Sequence, residues 1–158
     1  MKKVILVVLA VGLVAGLGSR QAFAQDKKVE FSLNAGIMTL LESSEDWDVG
    51  GLVLAALSPQ LDIHVGKNFM VSPEAMVVTT FEFSGIVAFP GVILNYLGKG
   101  FFAGAGAVVG IGGGGAMVLP KINIGYRLKH INLTAYFITS FEAMFSESLL
   151  GATVGYRF

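Results

Sequence analysis

Six ionisable side chains occupy alternating polar positions in otherwise apolar segments. They are Asp62, His64, Glu74, Lys121, Arg127 and Arg157. Carboxylates, an imidazole and cations could line a polar conduit, bind a ligand or act as acids and bases. Buried charges must otherwise pair with one another, because an unpaired buried charge is strongly unfavourable. We expect these six residues to form a structural network of ion pairs.

Two further motifs do not support a cofactor or a metal site. Gly110, Gly112 and Gly115 fit the G-x-G-x-x-G spacing of a dinucleotide loop, but Val118-Leu119-Pro120 follows and no acid lies between Glu82 and Glu142. That loop requires a following helix and an acid about 20 residues on. Residues 42–48 include four acids and Trp47, without the ordered spacing of a calcium loop. We expect a solvated acidic loop, no cofactor and no metal.

The composition indicates a chain with an unusually large apolar surface. Apolar residues make up 54% of the 158 residues and charged ones only 14%, against about a quarter in soluble domains. Basic and acidic residues number 11 each, which argues against nucleic-acid binding. The chain has no cysteine, which excludes disulfides and cysteine-ligated zinc. Its length fits one domain, or one domain with a targeting segment.

The N-terminus has the three parts of a secretory signal peptide. Lys2 and Lys3 precede an uncharged run over residues 4–17, and Ala22-Phe23-Ala24 follows as a cleavage signal. The run is shorter than the ~20 residues that a membrane-spanning helix needs. We predict that residues 1–24 are removed and that residues 25–158 form the mature domain.

Much of the mature chain alternates with a period of two. In residues 57–65, 118–128, 131–137 and 150–158, one face is apolar and the other polar or glycine-rich. Strict alternation is typical of strands with one apolar and one polar face. The six ionisable residues all lie on the polar faces.

Eight strands are expected in residues 29–40, 51–65, 69–81, 85–97, 101–110, 116–128, 131–141 and 148–158. Every second connection is very short, at 66–68, 98–100 and 129–130, and the others tend to be longer. This pattern is typical of outer-membrane barrels, whose short turns face the periplasm. In lipid, only a helix or a closed barrel pairs every backbone group. We predict an all-β protein, an eight-stranded antiparallel up-and-down transmembrane barrel with both termini periplasmic.

Most of the remaining charges of the mature chain are sorted between the two ends of the expected strands. Lys27, Lys28, Lys67, Lys99 and Lys129 lie at the end with short turns, whereas Glu42, Glu45, Asp46, Asp48, Glu82, Glu142 and Glu147 lie at the other. No charge is expected to face lipid in mid-strand, where Lys or Arg costs ~2–4 kcal/mol. The sorting supports a membrane-spanning barrel.

All four prolines, Pro59, Pro73, Pro90 and Pro120, fall inside strands and face outward by parity. Each removes a donor from a strand ladder. A lateral lipid gate is one interpretation. We favour the other, that the prolines adjust local strand geometry.

Three segments and the C-terminus resemble the small outer membrane protein beta-barrel domain family, whose architecture is that of the OmpX and OmpA barrels. The segments are residues 69–74, 89–96 and 98–106, followed by the final Gly155-Tyr156-Arg157-Phe158. The resemblance covers the mature chain. It implies that the barrel-assembly machinery reads the last strand, with Gly155, Tyr156 and Phe158 as the signal. The expected loops are shorter than those of adhesive members, which argues against an adhesin.

The resemblance implies a structural role in the cell envelope or contacts with partners through the loops. A narrow channel or carrier for small solutes is the alternative, and a lipid A-modifying enzyme is a third. Such enzymes have His with Ser or Glu near the outer rim, whereas His64 and His130 are expected near the periplasmic end. A nucleophile needs an adjacent base, so we predict no enzymatic activity. We expect a monomer in the bacterial outer membrane, with membrane lipids and the assembly machinery as partners and no nucleic acid.

Overall fold

The computed structural model describes residues 29–42, 53–80, 85–112, 115–140 and 147–158. The predicted signal peptide and nearly all of the acidic 42–48 segment lie outside these residues. Among the residues described, no helix is long and apolar enough to cross a membrane.

Eight strands form one closed antiparallel barrel. They are β1 (Val29–Glu42), β2 (Val53–His64), β3 (Phe69–Thr80), β4 (Ile86–Leu97), β5 (Phe101–Gly112), β6 (Gly115–Arg127), β7 (Ile131–Ile138) and β8 (Glu147–Arg157). Each strand pairs with the next along the chain, and β8 pairs with β1. The predicted fold is confirmed. The glycines of the G-x-G-x-x-G spacing lie at the facing ends of β5 and β6, so no helix follows them.

The three short turns lie at one end of the barrel, and each carries a lysine: Lys67, Lys99 or Lys129. Gly66 and Gly100 have φ angles of 86° and 80°, a conformation that other residues adopt only with strain. We call this end the turn end and the opposite end the loop end.

The outward face of the barrel is apolar. Its exposed side chains include Leu33, Ile37, Leu57, Val92, Leu94, Ile122, Ile124 and Val154. At the turn end, this surface is bounded by outward aromatic rings at positions 31, 69, 96, 101, 126, 156 and 158. No outward-facing position of the described strand residues carries a charge. An apolar band flanked by aromatic residues is the outer surface expected of a membrane barrel.

The barrel interior has two layers with opposite polarity. Toward the loop end, the inward side chains form an apolar layer of Met38, Ala56, Met76, Val78, Phe89, Val108, Tyr136 and Ile138. The packing is close, since a Cβ at Gly151 would lie 2.3 Å from the Tyr136 ring. Toward the turn end most of the inward side chains are polar or charged, although Met70 and Phe102 are also buried there. The apolar layer was not expected from the sequence.

Strand pairing is interrupted beside three of the four prolines. Four residues of β2 are not paired with β3, namely Ser58, Pro59, Leu61 and Asp62. The unpaired residues of β3 opposite them include Pro73. Between β4 and β5, the paired register omits Phe89 and Pro90. A groove of about 230 Å³ lies over the first interruption, lined in part by Pro59 and Pro73.

Candidate functional site

Five charged or titratable side chains come together inside the turn end of the barrel. They are Glu30 from β1, Asp62 and His64 from β2, Arg127 from β6 and Arg157 from β8, and we call them the ion-pair layer. Each occupies an inward position of its strand. Closure of the barrel brings these distant strands together, because the interior of an eight-stranded barrel is only wide enough for side chains.

Arg127 is the cation that links the two carboxylates of this layer. Its Nη2 donates to Glu30 Oε2 at 2.8 Å and to Asp62 Oδ2 at 2.9 Å. Its Nη1 lies 3.4 Å from Met70 Sδ. A guanidinium suits this position because its fixed planar donors can serve several acceptors at once.

Asp62 is 1% exposed, and polar neighbours saturate its carboxylate. Gln60 Nε2 and Ser72 Oγ both donate to Asp62 Oδ1, at 2.6 and 2.8 Å. Asn95 Nδ2 in turn donates to Ser72 Oγ at 3.0 Å. A buried carboxylate with this many donors has its desolvation largely offset.

Glu30 and Arg157 connect the layer to the β6–β7 turn. Arg157 Nη1 lies 3.1 Å from Glu30 Oε2. Its Nη2 donates to the carbonyl oxygens of Leu128 and Lys129. His64 Nε2 lies 3.5 Å from the same Glu30 oxygen. The network therefore also fixes the backbone of a turn.

A second ion pair, Glu74 with Lys121, lies deeper in the barrel. Lys121 Nζ donates to Glu74 Oε1, and the two side chains are only 4% and 3% exposed. The same ammonium lies 4.5 Å from the centroid of the Tyr136 ring, a favourable cation–π geometry. This pair joins the polar half of the interior to the apolar layer.

The described interior charges balance. Three carboxylates, Glu30, Asp62 and Glu74, face three cations, Lys121, Arg127 and Arg157. Without counting His64, these six charges sum to zero. Because desolvated charges are stable only when compensated, this balance is what a dry interior requires.

The free space beside the Glu74–Lys121 pair is very small. A cavity of about 10 Å³ lies there, lined by ten residues that include Asn34, Ser58, Asn123 and Tyr136. That is about the space of one water molecule. Ser58 Oγ, Asn123 Oδ1 and the Tyr136 hydroxyl have no protein hydrogen-bond partner and belong to side chains that line this cavity.

The structure places all six residues singled out from the sequence inside the barrel. Asp62, His64, Arg127 and Arg157 lie in one cluster, and Glu74 and Lys121 in another. Sequence reasoning missed Glu30, which contacts three members of the first cluster. Its position could have been found, since Glu30, Ser32 and Asn34 share the inward parity of β1.

The two histidines considered for catalysis both lie toward the turn end of the barrel. His64 faces Glu30 inside the ion-pair layer. His130 lies in the β6–β7 turn and stacks on Tyr156. Within the described ranges, no group of three or more His, Asp or Glu side chains could hold a metal ion.

Comparison with known proteins adds structural neighbours only. Neither a protein-family model nor a curated protein matches the sequence. Neisserial surface protein A superposes with a TM-score of 0.59 and 10% identity, over 83% of this chain and 96% of that one. The chain has the fold of a small outer-membrane β-barrel. The attachment invasion locus protein Ail of Yersinia pestis, solved with the heparin analogue sucrose octasulfate, superposes with a TM-score of 0.46, 10% identity and coverage of 83% and 99%.

Proposed function

We propose that this barrel spans a bacterial outer membrane as a non-conducting structural protein and exposes the loops at its loop end to partners. The outward surface supports the membrane placement. It is apolar and free of charge at the described strand positions, with an aromatic rim at the turn end. Water would solvate such a surface poorly, whereas a hydrocarbon layer of about 25 Å suits it.

The two-layered interior is the observation that carries the structural role. Its polar half is an internally neutral network, and its other half is a packed apolar layer. A hydrated solute would have to break both layers, and the cavity between them has room for about one water molecule. The interior therefore favours a stabilising core over the alternative of a narrow channel or carrier.

The last strand supports assembly by the machinery that inserts outer-membrane barrels. Tyr156 and Phe158 face outward, and their rings meet edge-on with centroids 5.1 Å apart. Phe158 N also donates to Phe31 O at 3.0 Å, which joins the C-terminus to β1. We propose that Gly155, Tyr156 and Phe158 form the assembly signal and that the mature protein is a monomer after removal of residues 1–24.

Planar-bilayer recording tests the non-conducting role. The purified protein should add no ohmic conductance above that of the protein-free bilayer. The conductance of wild type is compared with that of the double variant Phe89→Ala with Met76→Ala. This variant lacks two large side chains of the apolar layer. Steady wild-type conductance at neutral pH would establish the channel alternative. Lipid A mass spectrometry with and without the protein tests the enzyme alternative, and we expect identical spectra.

A further inference from the structure

An open apolar groove lies on the outer surface of the barrel, across β6, β7, β8 and β1. Its volume is about 600 Å³. Ala135 and Ala152 are direct partners on β7 and β8, and their small side chains leave the floor low. The rims are Ile37, Ile124, Tyr126, Leu133 and Val154, all among the exposed large apolar side chains.

The turn end of this groove meets a cationic turn. Tyr126 and Leu133 are partners across β6 and β7, and the turn formed by residues 128–130 joins these two strands directly below them. Lys129 and His130 are both exposed there. The His130 ring stacks on Tyr156, with centroids 6.0 Å apart and an interplanar angle of 21°.

The backbone of this turn is held from inside the barrel. Arg157 donates to the carbonyl oxygens of Leu128 and Lys129, and its own backbone nitrogen donates to His130 O at 2.8 Å. Leu128 N donates to Ile131 O at 2.8 Å. The two side chains therefore project from a fixed position at the end of the groove.

We propose that the groove binds one acyl chain of an anionic phospholipid whose phosphate is held at Lys129 and His130. The apolar lining selects a hydrocarbon, and the cationic turn selects an anion at one end of that hydrocarbon. An anionic phospholipid has both features, joined at about the boundary that the aromatic rim marks. This inference rests on the proposed membrane placement and goes beyond a general affinity for lipid.

The chain contains a matched control for each half of the site. Lys99 lies in the β4–β5 turn, at the same end of the barrel as Lys129. Ala105 faces outward on β5, between Leu94 and Ile122. Ala105 therefore has a large residue on each neighbouring strand, whereas the alanines of the groove floor lie side by side on two strands, β7 and β8.

The test is native mass spectrometry of the full mature protein after extraction from vesicles that contain phosphatidylglycerol or, separately, phosphatidylcholine. Wild type should retain phosphatidylglycerol preferentially. Lys129→Gln should lower that retention about fivefold, because one cation near the surface contributes about 1 kcal/mol to anionic-lipid binding. Ala152→Phe, which fills the groove, should lower the retention of both lipids. Lys99→Gln and Ala105→Phe should match wild type.

Three results would overturn the lipid site. In the first, Ala152→Phe retains as much lipid as wild type. In the second, Lys99→Gln lowers phosphatidylglycerol retention as much as Lys129→Gln does. In the third, wild type is a dimer and Ala152→Phe is not, which would make a second copy of the chain the occupant of the groove. In each case, heat-modifiable insertion into the vesicles would show that the membrane placement still holds. A wild-type protein that does not insert would overturn that placement and the lipid site together.

Discussion

Removing the carboxylate of Glu74 probes whether the barrel interior is dry. Its partner Lys121 has a side chain that is 4% exposed, so Glu74→Ala leaves a buried ammonium without a counter-charge. Breaking a buried pair by removing one partner typically costs ~3–5 kcal/mol. An exposed pair of the same type would cost only ~0–1 kcal/mol, because water screens it. The two cases are therefore separated by several kcal/mol.

A double variant isolates the charge from the packing. Replacing both partners with apolar side chains, as Glu74→Leu with Lys121→Met, removes the uncompensated charge and fills similar space. Such replacements are often neutral or stabilising, so the double variant should recover most of the stability lost in Glu74→Ala. Lys99→Ala, in an exposed turn, should be close to neutral.

Urea unfolding of the barrel in lipid vesicles gives the free energy of unfolding for each variant. If Glu74→Ala lowers the free energy of unfolding no more than Lys99→Ala does, the interior is wet and the dry-interior interpretation is wrong. If the double variant is as unstable as Glu74→Ala, the lost stability comes from packing and not from the uncompensated charge.

Four shorter predictions address other parts of the barrel. Arg127→Leu should lower the free energy of unfolding more than Arg157→Leu, by about 1 kcal/mol or more, because it leaves two interior carboxylates without their shared cation; urea titration compares them. Pro73→Val restores a ladder donor, so amide exchange between β2 and β3 should slow; unchanged rates would show that the proline does not cause the interruption. Tyr136→Phe should change the unfolding free energy by less than about 1 kcal/mol, since the hydroxyl has no protein partner, whereas Tyr136→Ala should cost ~3–5 kcal/mol by opening a cavity. Deleting Phe158 should lower the yield of heat-modifiable barrel in cells, and a normal yield would contradict its role in the assembly signal.

The number and order of the strands could be predicted because alternation is strict in residues 57–65, 118–128, 131–137 and 150–158. Outward positions such as Ile122 and Ile124 are apolar, and Lys121 and Asn123 between them are polar, so the strand β6 and its orientation follow directly. The short turns indicated where one strand ends and the next begins. The predicted strand boundaries agree with those of the structure within three residues.

The interior was less predictable because its contacts depend on the register of the closed barrel. Glu74 on β3 reaches Lys121 on β6 across the lumen, a pairing that the stagger of all eight strands determines. The apolar layer was missed because Met38, Val78 and Val108 are apolar at inward positions, where their strands show little alternation. Glu30 was missed because it lies at the start of β1, beside the lysines of the turn end.

The central claim, a closed interior, is tested most directly by labelling single cysteines, since the natural chain contains none. Ser58→Cys is nearly isosteric, and Ser58 is buried beside the central cavity. In the folded barrel in vesicles, this cysteine should stay unmodified by a water-soluble thiol reagent while Lys99→Cys, in an exposed turn, reacts completely. After unfolding in urea, both should react. If Ser58→Cys reacted in the folded barrel as fast as Lys99→Cys, water would reach the centre of the lumen. The claim that the interior is closed to water would then be wrong.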